Sequence, residues 1–154
     1  MVDLLTFVNE HPINESSIKA ALVREGKQIE GLVPSDLFPY DQDHYGGLKA
    51  VEELAEKAQF SAKSMVLDVC SGMGGPARYI SERYGCCVLG LDINKTRTLS
   101  AARLTRWVGL ENTVSFICGD ASLIPLAENN FTHVVSQEGF LHILDKESLF
   151  RNCR

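Results

Sequence analysis

No run in the sequence approaches the roughly 18 apolar residues of a membrane-spanning helix. The opening Met-Val-Asp-Leu-Leu-Thr-Phe-Val-Asn-Glu lacks both a basic leader and an apolar core long enough for a secretory signal. Basic charge is scarce. Fifteen Lys and Arg stand against 20 Asp and Glu, a net charge of -5, so the clustered cationic surface that nucleic acid needs is not expected. The local cluster Lys95, Arg97, Arg103 and Arg106 reads as the solvated face of a helix. Five cysteines (Cys70, Cys86, Cys87, Cys118, Cys153) form no Cys-x-x-Cys pair and have no matching His spacing. That speaks against a zinc site or a disulfide framework and for buried free thiols in a reducing compartment, with the cytoplasm as the expected location. Internal repeats and low-complexity tracts are missing too.

What is present is an ordinary globular balance, 45% hydrophobic and 23% charged residues. The length of 154 residues suits about one domain that buries roughly two-thirds of its unfolded surface. Residues 1–39 read as an N-terminal helical cap, either a lid over a neighbouring site or a packing arm. Asn14, Ser16 or Ser17 can cap a helix with Ile18, Ala21 and Leu22 on one face that ends near Gly26, and Pro34–Leu37 starts a second, short one. His11 beside Pro12 reads as a solvated loop residue. The polar, aromatic and glycine stretch 40–47 precedes a helix carrying Leu48, Val51, Leu54, Ala55 and Ala58, and Gly46 and Gly47 permit a turn or a close ligand approach.

From there strands and helices alternate. Met65–Val69 is an apolar strand, broken by a glycine cluster that opens into a helix with Pro76 near its first position and Gly85 at its end. Cys86–Leu91 is a second strand, ending in Asp92. Asn94 can cap the next helix, with Leu99, Ala102 and Trp107 pointing inward and Gly109 closing it. Val114–Cys118 is a third strand. A loop with Pro125 leads to a fourth, Phe131–Ser136. This order predicts an α/β fold, a doubly wound, mostly parallel sheet of about four strands with an N-terminal helical segment.

Gly72-Met73-Gly74-Gly75-Pro76-Ala77 fits Gly-x-Gly-x-x-Gly/Ala, a weak signal alone. Its setting strengthens it: a strand precedes, a helix follows, and Asp92 closes the next strand, where a carboxylate can accept both hydroxyl protons of a ribose. The lysine of a Gly-Lys-Ser/Thr phosphate loop is absent, which speaks against a nucleoside triphosphatase. A dinucleotide would place a pyrophosphate at the helix N-terminus, S-adenosylmethionine an amino-acid end. Asp68 suits an ammonium or a water network better than a pyrophosphate, and Asp120 can accept from an adenine amino group. Acids thus mark the ends of three successive strands: Asp68, Asp92 and Asp120.

The residues Leu67-Asp68-Val69-Cys70-Ser71-Gly72-Met73-Gly74-Gly75, Gly90-Leu91-Asp92-Ile93, Gly119-Asp120-Ala121 and Phe131–Ser136 with Leu141-His142 resemble the glycine-rich, ribose, adenine and fourth-strand motifs of class I, Rossmann-like S-adenosylmethionine-dependent methyltransferases. Asp41–Gly47 and Ser136–His142 resemble, within them, the small-molecule amine N-methyltransferases of the sarcosine/dimethylglycine type. The resemblance spans about residues 40–145, and implies that residues 40–154 bind S-adenosylmethionine through Asp68, Ser71, Gly72, Gly74, Asp92, Ile93, Asp120, Ala121 and Gln137. Two departures stand out. Cys70 replaces the motif's first glycine and requires a negative φ there. Thr132 replaces an acid whose place is usually structural.

The implied reaction is in-line methyl transfer to a small-molecule acceptor, with positioning as its main source of rate. Candidates to assist an amine acceptor are Glu138 and His142, which share a face if that segment is helical, with His44 and Tyr40 from the N-terminal side. Glu138 and His142 lack the further ligands of a metal site. His133 reads as structural, and Gln137, at a strand's carboxyl end, ranks above the histidines for touching the cofactor. The family's sheet has seven strands and this sequence stops after four. Strand four is therefore expected to be a long exposed apolar edge, open to homodimer pairing. A non-catalytic cofactor-binding fragment or interaction module, and an NAD(P)-dependent oxidoreductase, are the alternative readings.

Overall fold

A short apolar strand, Met65–Val69 (β1), lies inside a four-stranded sheet of order β3-β2-β1-β4. The computed structural model describes residues 12–123, 126–127 and 129–153; His11, Pro125 and Arg154 lie outside them. The other strands are β2 (Cys87–Asp92), β3 (Val114–Cys118) and β4 (His133–Val135). Every neighbouring pair is parallel, with Val66 opposite both Val88 and His133, and Val88 opposite Val114. Helices α1 (Glu15–Arg24), α2 (Pro34–Leu37) and α3 (Gly47–Ala58) precede the sheet. Helices α4 (Gly75–Tyr84) and α5 (Lys95–Trp107) connect its strands, and α6 (Lys146–Asn152) follows it. The expected α/β, doubly wound parallel architecture is what forms.

The period-two alternation of the strands divides the core. Val66, Val88 and Val114 face Val51 and Ala55 of α3 and Ala77 and Ile80 of α4. Leu67, Val69 and Leu91 face the other way, against Leu149 of α6. A third cluster joins Ile18 and Leu22 of α1 and Leu37 of α2 to Leu104 of α5 and to Met73 in the glycine turn. Each such buried side chain contributes about 1.5–3 kcal/mol. The N-terminal helices are thereby packed onto the turn.

Local chemistry sets the boundaries. Asn14 caps α1 reciprocally: its Oδ1 accepts the Ser17 amide at 3.0 Å, and Ser17 Oγ accepts the Asn14 amide at 3.1 Å. Asn94 Oδ1 accepts the Arg97 amide at 3.0 Å and starts α5, while Gly85, at φ 67°, ends α4.

Four expectations are corrected. Leu99 is exposed, whereas Trp107 packs half-buried against the third cluster as expected, and the buried residues of α5 are Arg97, Thr98, Ser100, Ala101, Leu104 and Thr105. Arg97 is buried rather than solvated and pairs with Asp43; Arg103 pairs with Glu15 at 2.6 Å. Only Cys86 is a fully buried thiol; Cys87 and Cys118 are exposed at opposite ends of β2 and the edge strand β3, and no described cysteine is disulfide-bonded. Finally, β4 is three residues long, not six. Phe131 packs into the core instead, and Thr132 Oγ1 takes the Met65 amide at 2.9 Å, so the open edge of the sheet is short. No described helix is long and apolar enough to cross a membrane.

Candidate functional site

After Val69 the backbone reverses within two residues. Cys70 has φ 61°, Gly72 φ 53° and Gly74 φ 77°. The expected negative φ at Cys70 is thus overturned. The left-handed residue brings the Ser71 amide onto Leu91 O at 3.0 Å, and it costs about 1–2 kcal/mol for a side chain with a Cβ. Gly139 accommodates it, since a Cβ there would overlap that of Cys70. Gly72 then donates its amide to Asp92 Oδ2 at 2.8 Å, and Asp92 Oδ1 accepts the Asn94 amide at 2.8 Å. Turn and acid form one unit.

Over that unit, at the carboxyl ends of the strands, lies a cavity of about 850 Å³. Of the cofactor residues implied by the sequence, Gly72, Asp92, Ile93, Asp120, Ala121 and Gln137 line it; Asp68, Ser71 and Gly74 lie behind the lining. Asp68 sits one position before the end of β1, and Gly74 under the Phe116 ring, where a Cβ would overlap it. Of the acceptor-side candidates, Glu138, His142 and His44 line the cavity. Tyr40 does not; its hydroxyl is on Glu25. Glu138 and His142 do not share a helix face, because Glu138 has φ 59° and Phe140–His142 is a single 3₁₀ turn. Glu138 Oε1 instead accepts the Tyr45 amide at 3.0 Å across the cavity. His133 faces away, with Nε2 3.1 Å from Ala58 O and its ring edge-on to Phe60.

The charges are unevenly satisfied. Asp68 is buried and its Oδ2 has no hydrogen-bond partner; burial, and then the Asp92 carboxylate, pushes its carboxyl up to about 7. Burial also raises Asp92, against the pull of its two amide donors. Ser122 donates to Asp120 from both amide and hydroxyl, and holds that carboxyl below its usual range. Burial, with the nearby acids, pushes the Cys70 thiol up to about 12, which disfavours the thiolate at this edge of the cavity. Ser71 Oγ, Ser136 Oγ and Gln137 Oε1 are buried without partners as well. A ligand carrying a cationic donor and hydroxyls fits this set. Among the described residues no group of three His, Cys, Asp or Glu is placed to hold a metal ion.

The sequence reading missed the pair that closes the site from the N-terminal side. The Arg97 guanidinium meets the Asp43 carboxylate over the glycine turn, and a Cβ on Gly72 would come within 3.1 Å of Arg97 Nη2. Nothing in the spacing of Lys95, Arg97, Arg103 and Arg106 sets Arg97 apart, because its partner is remote in sequence.

The fold and cavity define a Rossmann-like, ligand-binding α/β domain. Residues 66–154 match the methyltransferase domain family, more than half of the chain, and the chain belongs to that family. It is similar to phosphoethanolamine N-methyltransferase 1 of Triticum aestivum, 36% identical over 107 residues, covering 70% of this chain and 21% of the relative. Glycine/sarcosine/dimethylglycine N-methyltransferase of Actinopolyspora halophila is 34% identical over 98 residues, covering 64% of this chain and 17% of the relative. The chain thus spans about a fifth of the length of these two relatives. Among solved structures, phosphoethanolamine N-methyltransferase 2 of Haemonchus contortus, in complex with phosphomonomethylethanolamine and S-adenosylhomocysteine, shares the fold. Its TM-score is 0.71 at 21% identity, over 98% of this chain and 32% of that one.

Proposed function

We propose that this chain forms the S-adenosylmethionine-binding part of a methyltransferase that modifies a small amine by in-line transfer. The observation that carries the cofactor reading is Asp68, a buried carboxyl with an unpartnered oxygen directly behind the glycine turn. A pyrophosphate at that turn would face an acid. An ammonium would satisfy it. The orphaned Ser71 Oγ and Gln137 Oε1 support the same fit, and the positions of Asp92 and Asp120 on the cavity lining support contacts to ribose hydroxyls and to an adenine amino group.

When bound, S-adenosylmethionine supplies a methyl group already activated on a sulfonium. Residues of this chain bind, orient and enclose. Asp92 is held rigid by two amides, which pre-organises it as an acceptor. Glu138, fixed by the Tyr45 amide, and His142 face the cavity, where either can accept the proton that an ammonium acceptor must lose before it attacks. The amine class is supported by the relatives that act on phosphoethanolamine and on glycine, sarcosine and dimethylglycine.

Methyl transfer from S-adenosylmethionine to a panel of small amines tests the reading, with binding of S-adenosylhomocysteine measured in parallel. Cofactor binding with no turnover on any amine would reduce the chain to a binding module.

A further inference from the structure

Arg78 is fully buried in α4 and does not line the cavity. All five of its N–H donors are nevertheless committed. Nε and Nη2 donate to Asp41 Oδ2 at 3.1 and 2.9 Å, Nη2 also to Met73 O at 2.7 Å, and Nη1 to Ala101 O at 3.2 Å and Thr105 Oγ1 at 3.0 Å. One planar group therefore ties together the segment before α3, the glycine turn, and the inner face of α5. Asp41 is equally buried, and its backbone lies on the start of α4 so closely that a Cβ on Gly75 would overlap the Asp41 carbonyl.

The residues that follow Asp41 form the cavity's N-terminal wall. Gln42, Asp43, His44 and Tyr45 all line it. Two contacts hold this wall at its far side, Asp43 on Arg97 and the Tyr45 amide on Glu138 at 3.0 Å. At the near side it has the Asp41–Arg78 anchor and the hydrogen bond from Gln42 Nε2 to Asp41 Oδ1 at 2.7 Å. A buried ion pair replaceable by apolar side chains is a poor source of stability. A guanidinium that fits three segments at once fixes their relative geometry, which a lysine or an apolar residue cannot do.

We propose that Arg78 is a positioning residue: through Asp41 and the Met73 carbonyl it locks the 42–45 wall and the glycine turn into the one arrangement that binds the cofactor. The inference rests on the cofactor reading above and concerns how this chain achieves it.

Hydrogen–deuterium exchange on the whole, ligand-free chain tests the locking. In Arg78→Lys and in Asp41→Asn, amides of residues 41–46 and 71–74 are expected to exchange at least about tenfold faster, the equivalent of a lost charged hydrogen bond, while those of β1 and β2 are unchanged. Unchanged exchange at 41–46, or a uniform rise across the chain, overturns the proposal, since a uniform rise is what a merely structural residue gives. Calorimetry with S-adenosylhomocysteine is expected to show a Kd weakened by about tenfold or more in both variants. An unchanged Kd also overturns it. Should Arg78→Lys not fold, Asp41→Asn, of unchanged volume, carries both readouts. If the wild-type chain binds no S-adenosylhomocysteine, the cofactor reading fails by itself and the exchange arm still decides the role of Arg78.

Discussion

The Gly72 amide and the Asp92 carboxylate, 20 residues apart in sequence, are joined at 2.8 Å, so the end of β2 holds the turn after β1 in shape. Asp92→Ala leaves the Gly72 and Asn94 amides without an acceptor, at about 1–3 kcal/mol for each donor left buried. Urea denaturation is expected to show that loss, and calorimetry an S-adenosylhomocysteine affinity lower by about tenfold or more. Asp92→Asn keeps one acceptor oxygen and is expected to fall between the two.

Asp68 predicts a pH dependence of stability. Its carboxyl is raised to about 7, chiefly by burial and then by Asp92, from an ordinary value of 3.8. Between those values the folded chain holds a proton that the unfolded chain has lost, so this group's contribution to stability is complete below the unfolded value and falls as pH rises towards 7. Asp68→Asn removes the fall. Denaturation of both proteins at several pH values is expected to show the wild type losing stability relative to the variant from about pH 4 to about pH 7, by no more than about 1.4 kcal/mol per unit. Parallel curves would show that Asp68 is already ionised.

At Cys70 the left-handed backbone predicts opposite effects from two small substitutions. Cys70→Gly relieves about 1 kcal/mol of conformational strain, offset by the contacts that the side chain makes around Gly139. Cys70→Val places a β-branched residue at φ 61° and is expected to cost about 2 kcal/mol or more. Thermal unfolding of the pair separates them, and equal melting temperatures would contradict the backbone geometry.

His133 is predicted to serve the fold alone. Its hydrogen bond to Ala58 O and its edge-on contact with Phe60 are worth about 1–2 kcal/mol together. His133→Ala should lower the melting temperature and leave S-adenosylhomocysteine affinity unchanged; a change in affinity would place it in the site.

The sheet was legible because β1, β2 and β3 are short apolar runs bounded by turn residues, and the turn because glycines and Asp92 stand at fixed offsets. Asn14, Asn94 and Gly85 announce helix ends by chemistry that acts over three or four residues. What stayed hidden depends on partners far away in sequence. Arg97 differs from its exposed neighbours through Asp43, 54 positions earlier in the numbering, and Arg78 is set apart by Asp41, Ala101 and Thr105, each more than 20 positions away. The inward face of α5 was misread for a related reason: Leu99 looks apolar, while Thr98 and Thr105 are buried with their hydroxyls satisfied, Thr98 donating to Asn94 O and Thr105 accepting from Arg78. Cys70 is a third case. A non-glycine residue at positive φ is tolerable only because Gly139, beyond β4, leaves the space for it.

Titrating the chain with S-adenosylhomocysteine and, separately, with NADH decides which cofactor the glycine turn and Asp68 receive. Saturable binding of S-adenosylhomocysteine and none of NADH is expected; binding of NADH without S-adenosylhomocysteine would mean that the turn holds a dinucleotide.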